Sequence, residues 1–179
     1  SHFGGKSPTL LEYYQKTGVH LRVCACNINN LEAVYFDHIT HPNIKVVDPL
    51  RASCCIPGLF RAVKIDGDYY VDGGFVKNFP LDAWPANLVP DHEILGISVS
   101  GFPLREEIND VWAYISRIAA LAIITHTKSA VRARPGVFVV ESILENVPLV
   151  PTAITPEIKK DIFKNGMKDG KLRLDQERA

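Results

Sequence analysis

Asp68-Tyr69-Tyr70-Val71-Asp72-Gly73-Gly74-Phe75-Val76-Lys77-Asn78-Phe79-Pro80 reads as a β-rich segment that carries an aspartate to its end and releases it into two glycines. Glycines at that point let the backbone turn sharply and leave the Asp72 carboxylate with little steric cover. A carboxylate so placed can act as a base, bind a cation or simply cap the turn. Asp-Gly-Gly alone is mostly turn chemistry, so its surroundings decide. Just upstream, residues 61–65 and 69–71 flank Asp66-Gly67, a dipeptide suited to the positive φ of a tight hairpin. The hairpin is an arm that delivers Asp72.

About twenty residues before Asp72 stands Asp48-Pro49-Leu50-Arg51-Ala52-Ser53-Cys54-Cys55-Ile56-Pro57-Gly58-Leu59-Phe60. This run, with Tyr70-Val71-Asp72-Gly73-Gly74 and Asn78-Phe79-Pro80 after it, resembles the patatin-like phospholipase family. There a small-residue helix of the type Ala-Ser-x-x-x-Pro-x-x-Phe precedes a hairpin ending in Asp-Gly-Gly or Asp-Gly-Ala, followed by Asn-x-Pro. Three motifs in order and at the right spacing are far more specific than any one. The resemblance spans residues 8–100 and fades toward the end of the chain. It implies lipid acyl hydrolysis by a Ser-Asp dyad, with Asp72 as general base and Gly73 and Gly74 as the turn that lets it reach the serine. Asn78 and Pro80 match the segment leaving the site. No metal or organic cofactor is implied. The implied partners are a lipid substrate and, through it, peripheral contact with a membrane.

The other half of that chemistry is not found in the sequence. The family's serine sits in a Gly-x-Ser-x-Gly elbow between a strand and a helix, and its oxyanion hole comes from a glycine-rich loop nearer the N-terminus. Gly4-Gly5-Lys6-Ser7-Pro8 has proline directly after the serine and no strand before it. Gly96-Ile97-Ser98-Val99-Ser100-Gly101 follows Asp72 and carries Ser100 where the last glycine belongs. Both serines read as structural. The expectation is therefore a C-terminal part of one patatin-like domain, residues 1–179, in a three-layer α/β/α sandwich. The missing N-terminal segment of that domain would supply the nucleophile, and this chain alone is expected to be inactive. The competing reading is a non-catalytic module that binds lipid or protein after losing its nucleophile. A third takes Asp72 as a turn cap in an unrelated fold, which requires the helix over residues 52–57 to lie far from Asp72.

Composition sets the outer bounds. The 179 residues are 46% hydrophobic and 22% charged, as in a folded protein with a substantial core. Twenty basic and twenty acidic residues cancel, so nothing favours nucleic acid. The longest apolar run, residues 118–124, falls far short of the ~20 residues a membrane-spanning helix needs. No basic-then-apolar leader pattern opens the chain, which leaves targeting undecided. Cys24-x-Cys26 and Cys54-Cys55 lack zinc spacing and read as buried free thiols, mildly favouring a reducing compartment such as the cytoplasm. Asp37-His38-x-x-His41 has the composition of a metal site but lies in a loop before Pro42, with no helix to align the imidazoles.

Elsewhere the periodicity predicts helices over 9–16 (Ser7 as cap, Gly18 as stop), 49–56, 81–84, 106–132 and from 155 onward. Strands are expected over 20–27, 33–37, 94–100 and 136–142, with Val46-Val47 extended. The strand over 94–100 reads as central. Ile108, Val111, Trp112, Ile115 and Ile118 predict a buried stripe on the long helix, which alternatively lines an acyl channel or touches a membrane. In the last helix, Ile158, Ile162, Phe163 and Met167 are expected inside. Lys128, Arg132 and Arg134 form a basic cluster that complements a helix C-terminus. Contact with phospholipid headgroups is the other reading of that cluster.

Overall fold

The computed structural model describes residues 5–100, 107–143 and 155–177. Contacts gather the chain into two compact units, Ser1–Ala83 and Trp84–Ala179. The mixed α/β class expected from the sequence holds.

In the first unit, α1 (Leu10–Thr17) begins at Thr9. The Thr9 hydroxyl accepts the Glu12 N–H at 3.2 Å, and the Thr9 N–H donates to the Glu12 carboxylate at 2.8 Å. Thr9 rather than Ser7 caps the helix because a glutamate stands three residues on, so two orphan donors are satisfied reciprocally. Gly18 closes it at φ 69°, a conformation glycine adopts without a Cβ penalty. Strands β1 (Val23–Asn27) and β2 (Glu32–Phe36) pair antiparallel, Val23 opposite Phe36 and Asn27 opposite Glu32. Their connection is held by Asn27, whose Oδ1 accepts the Asn29 N–H at 2.9 Å.

Helix α2 (Val47–Ser53) starts earlier than expected. Val46 is already helical at φ −49°, ψ −35°. Pro49 falls in the first turn, where its missing N–H costs nothing, so it does not mark the helix start. Strands β3 (Val63–Ile65) and β4 (Asp68–Asp72) form the expected hairpin. Asp66 at φ 49° and Gly67 at φ 99° occupy its two-residue turn, as a type I′ geometry requires. The sheet order is β2-β1-β4-β3, so the strand carrying Asp72 lies between two partners. Leu10, Ala25, Phe36, Ala52, Ile65 and Tyr70 form the core that joins both helices to this sheet. Phe36 is fully buried, worth roughly 2–3 kcal/mol of transfer free energy. After Asp72 come the single-turn α3 (Gly74–Lys77) and, where a short helix was expected, a 3-10 turn at Leu81–Ala83.

In the second unit, β5 (Leu95–Ser100) and β6 (Phe138–Ile143) pair in parallel, Leu95 opposite Phe138 and Ser100 opposite Ile143. Helix α4 (Val111–Ala133) connects them, making a βαβ unit. Asp110 caps α4 by accepting the Ala113 N–H at 2.7 Å. The predicted start at Glu106 lies outside the described residues. Helix α5 (Pro156–Glu177) follows and packs on β6.

Three expectations fail in this unit. Among the described residues β5 pairs with β6 alone; it is Gly96 and Ser98 that are buried, while Leu95, Ile97 and Val99 are exposed. An apolar run reports the wish to be covered, not the cover itself. The stripe on α4 is likewise open at Val111, Ile115 and Ile118, with Ala120 buried instead. On α5, Ile158 and Ile162 are half-buried, but Phe163 and Met167 are exposed.

Candidate active site

Asp72 ends β4 directly beside β1, in register with Ala25. β3 has already ended, its last pairing toward this end being Val63 with Tyr70. The vacated position is taken by the chain leaving α2: the Asp72 N–H donates to the Cys55 carbonyl at 2.9 Å. The small-residue helix and the aspartate are therefore neighbours, which removes the reading that required them to lie apart. Ala52 and Cys55 are buried where α2 meets the sheet, while Cys54 faces solvent. Small side chains at this contact let the helix end approach the strand end closely.

The Asp72 side chain is half-buried. Its Oδ1 accepts the Gly74 N–H at 2.8 Å, and among the described residues no cation pairs with it. Burial pushes its pKa above the usual carboxylate value, and the Gly74 hydrogen bond pulls back only partly. A half-desolvated carboxylate without a cation is a stronger base than one in water.

The two glycines serve a different purpose from the one the sequence suggested. Gly73 has φ −65°, ψ −18°, which any residue adopts. What it requires is space: a Cβ there would lie 2.7 Å from the Cys24 carbonyl oxygen. A Cβ on Gly74 would meet the Asn78 Oδ1 and the Asp72 Oδ1, each at 3.1 Å. The third motif thus converges on the second, with Asn78 beside the carboxylate's own turn.

Sequence reading missed a polar cluster next to this turn. Asp82 accepts the Tyr35 hydroxyl at 2.7 Å and pairs with Lys77 Nζ at 2.6 Å. Burial and the hydrogen bond to Asp82 push Tyr35 far above its ordinary pKa. Burial, reinforced by Asp82, raises the Cys24 thiol to about 11, so at neutral pH it is a thiol and no nucleophile. Cys26 and Cys55 are buried and raised in the same direction by desolvation. The expectation of buried thiols holds for these two and fails for the exposed Cys54.

The other candidates have structural partners. Asp37 accepts the Arg22 Nε at 2.8 Å and the N–H groups of Ile39 and Thr40. Burial pushes its pKa up, but these hydrogen bonds outweigh burial and hold it at about 2. His38 stacks on Tyr14 with centroids 3.9 Å apart, and His41 Nδ1 meets the Thr40 hydroxyl at 2.8 Å. Among the described residues no three His, Cys, Asp or Glu side chains converge as metal ligands. Ser7 Oγ accepts the Val47 N–H at 3.4 Å, tying the segment before α1 to α2. Gly4, Gly101 and the Ser100 side chain lie outside the described residues.

Known proteins resemble this chain in part or over most of its length. A "Probable lipid hydrolase 463L" of Invertebrate iridescent virus 6 is 36% identical over 77 residues, covering 43% of this chain and 27% of that protein. The chain thus spans about a quarter of that relative's length. The crystal structure of VipD from Legionella pneumophila is similar over 94% of this chain and 35% of its own, with a TM-score of 0.63 at 19% identity. That likeness is one of fold. Residues 8–84, which hold α1, the β2-β1-β4-β3 sheet, α2 and the Asp72 turn, match the family model of the patatin-like phospholipases.

Proposed function

We propose that this chain is part of a lipid acyl hydrolase that cleaves acyl esters of glycerolipids with a Ser-Asp dyad. Asp72 is the base; the nucleophilic serine and the oxyanion donors lie outside residues 1–179. The serine oxygen attacks the ester carbonyl while its proton passes to Asp72. Collapse of the tetrahedral intermediate expels the alcohol, which takes that proton. Asp72 then removes a proton from water, whose oxygen attacks the acyl-serine; as the bond to the serine oxygen breaks and the fatty acid leaves, Asp72 returns that proton to the serine. The carboxylate ends each cycle unchanged.

The observation that carries this reading is the state of Asp72: half-buried, without a cation partner among the described residues, and raised in pKa by burial. A carboxylate retained only to cap a turn gains nothing from desolvation. The match of residues 8–84 to the family supports the same assignment. Both units are read as parts of one domain, a reading supported by the extent of the likeness to VipD.

Replacing Asp72 with Asn in the complete protein tests it. Asparagine keeps an acceptor for the Gly74 N–H but cannot take a proton. Turnover of a nitrophenyl acyl ester is expected to fall at least about a hundredfold, with the circular dichroism spectrum unchanged. Undiminished turnover removes Asp72 from the mechanism.

A further inference from the structure

The second unit contains a cleft of about 480 Å³ between the last turns of α4, the sheet and α5. Lys128, Arg132 and Arg134 line it from α4 and its C-cap, Arg173 from α5, and Glu141 from β6. With Arg134 paired to Asp91, Lys128, Arg132 and Arg173 still face one lining carboxylate, a local excess of positive charge in a chain whose formal net charge is zero. Buried Ser98 of β5 and the valines 131, 137 and 139 complete the lining.

Structure alone accounts for some of these cations. Arg134 is committed: it donates from Nε to Asp91 at 2.9 Å and also bonds the Val89 and Trp84 carbonyls, tying the helix end to the loop before β5. Arg132 stands in the last turn of α4, where it complements the helix dipole. Lys128 stands before that last turn, and the dipole gives it no reason to be there. It is one helical turn from Arg132, an arrangement in which like charges repel. The Arg173 guanidinium lies 5.2 Å from the Phe138 ring centroid, which holds it against β6. An anion in the cleft converts that repulsion into attraction.

We propose that this cleft binds a phosphomonoester, its phosphate held by Lys128, Arg132 and Arg173. The organic part packs on the valines. A volume of this order accommodates a substituted phosphate as well as a bare ion, and guanidinium groups suit phosphate oxygens geometrically. The ligand's source is either an anionic lipid headgroup or a soluble metabolite of the same chemistry. The site is independent of Asp72 and does not rest on the hydrolase reading.

The test is calorimetric titration of the full chain with glycerol 3-phosphate and with inorganic phosphate, alongside a Lys128→Ala, Arg132→Ala double variant. Both positions are exposed, so the fold should persist, and circular dichroism checks that it does. Saturable binding that weakens at least about tenfold in the double variant is expected, as is weaker binding in higher salt. Sedimentation with vesicles of phosphatidylcholine, with and without phosphatidic acid, separates the sources. Phosphatidic-acid-dependent binding lost in the double variant assigns a headgroup; binding of the soluble ester alone assigns a metabolite. Binding of neither the soluble probes nor the phosphatidic-acid vesicles, or equal affinity in the folded double variant, overturns the proposal.

Discussion

Asp72 costs the fold something at neutral pH. Its pKa is raised in the folded state by burial, so the folded protein holds that proton more tightly than the unfolded chain does. The penalty is absent below the ordinary carboxylate range and appears as pH rises through the unfolded and then the folded pKa. Asp72→Asn is therefore expected to raise the melting temperature at pH 7 and to lose that advantage near pH 3, read by thermal melts across pH. Asp37 has the opposite sign. Held at about 2 by its hydrogen bonds, it contributes stability above the usual carboxylate pKa of ~4, lost as pH falls toward 2. Asp37→Ala should cost roughly 2–3 kcal/mol at pH 7 and flatten the acid limb of a urea-denaturation series. The position of Asp72 at the end of β4 was legible because the signal is local, an aspartate between a strand and two glycines. Why Gly73 is glycine was not. The answer is a 2.7 Å approach to the Cys24 carbonyl, a distance between residues far apart in sequence. Gly73→Ala should destabilise by about 1–3 kcal/mol in urea denaturation.

Among the elements, the hairpin was read correctly because its turn is written in two consecutive residues. Gly67 sits at φ 99° with nothing within 4 Å of a built Cβ, so its need is conformational alone. Gly67→Ala should cost about 1–2 kcal/mol without moving the β3–β4 register, as seen by amide chemical shifts. Errors arose where two local signals competed. Thr9 and Ser7 both suit a helix cap, and the partner Glu12 decided for Thr9. Pro49 suggested a helix start, yet proline fits any position of a first turn. The Tyr35-Asp82-Lys77 cluster could not be foreseen, because Tyr35 and Asp82 are 47 residues apart and only the folded sheet brings them together.

Across the whole molecule, the two units differ in how well their sheets are covered. The first has four strands and a closed core under α1 and α2. The second has, among the described residues, two strands with Leu95, Ile97 and Val99 open. A two-stranded sheet with an uncovered apolar face is a weak cooperative unit. Hydrogen exchange should therefore find the amides of Ala25, Cys26 and Val71 protected at least about a hundredfold more than those of Ile97 and Val140. Fold class was legible because periodicity reports strands and helices; coverage was not, because periodicity does not say what lies against an apolar face.

The central claim is that Asp72 activates a serine. The most direct measurement is the rate at which a fluorophosphonate labels the complete protein, followed by intact mass and peptide mapping, in wild type and Asp72→Asn. The account predicts one labelled serine outside residues 1–179, modified at least about a hundredfold more slowly in the variant. Equal labelling rates in the two proteins, or a label on a serine within these residues, would contradict it.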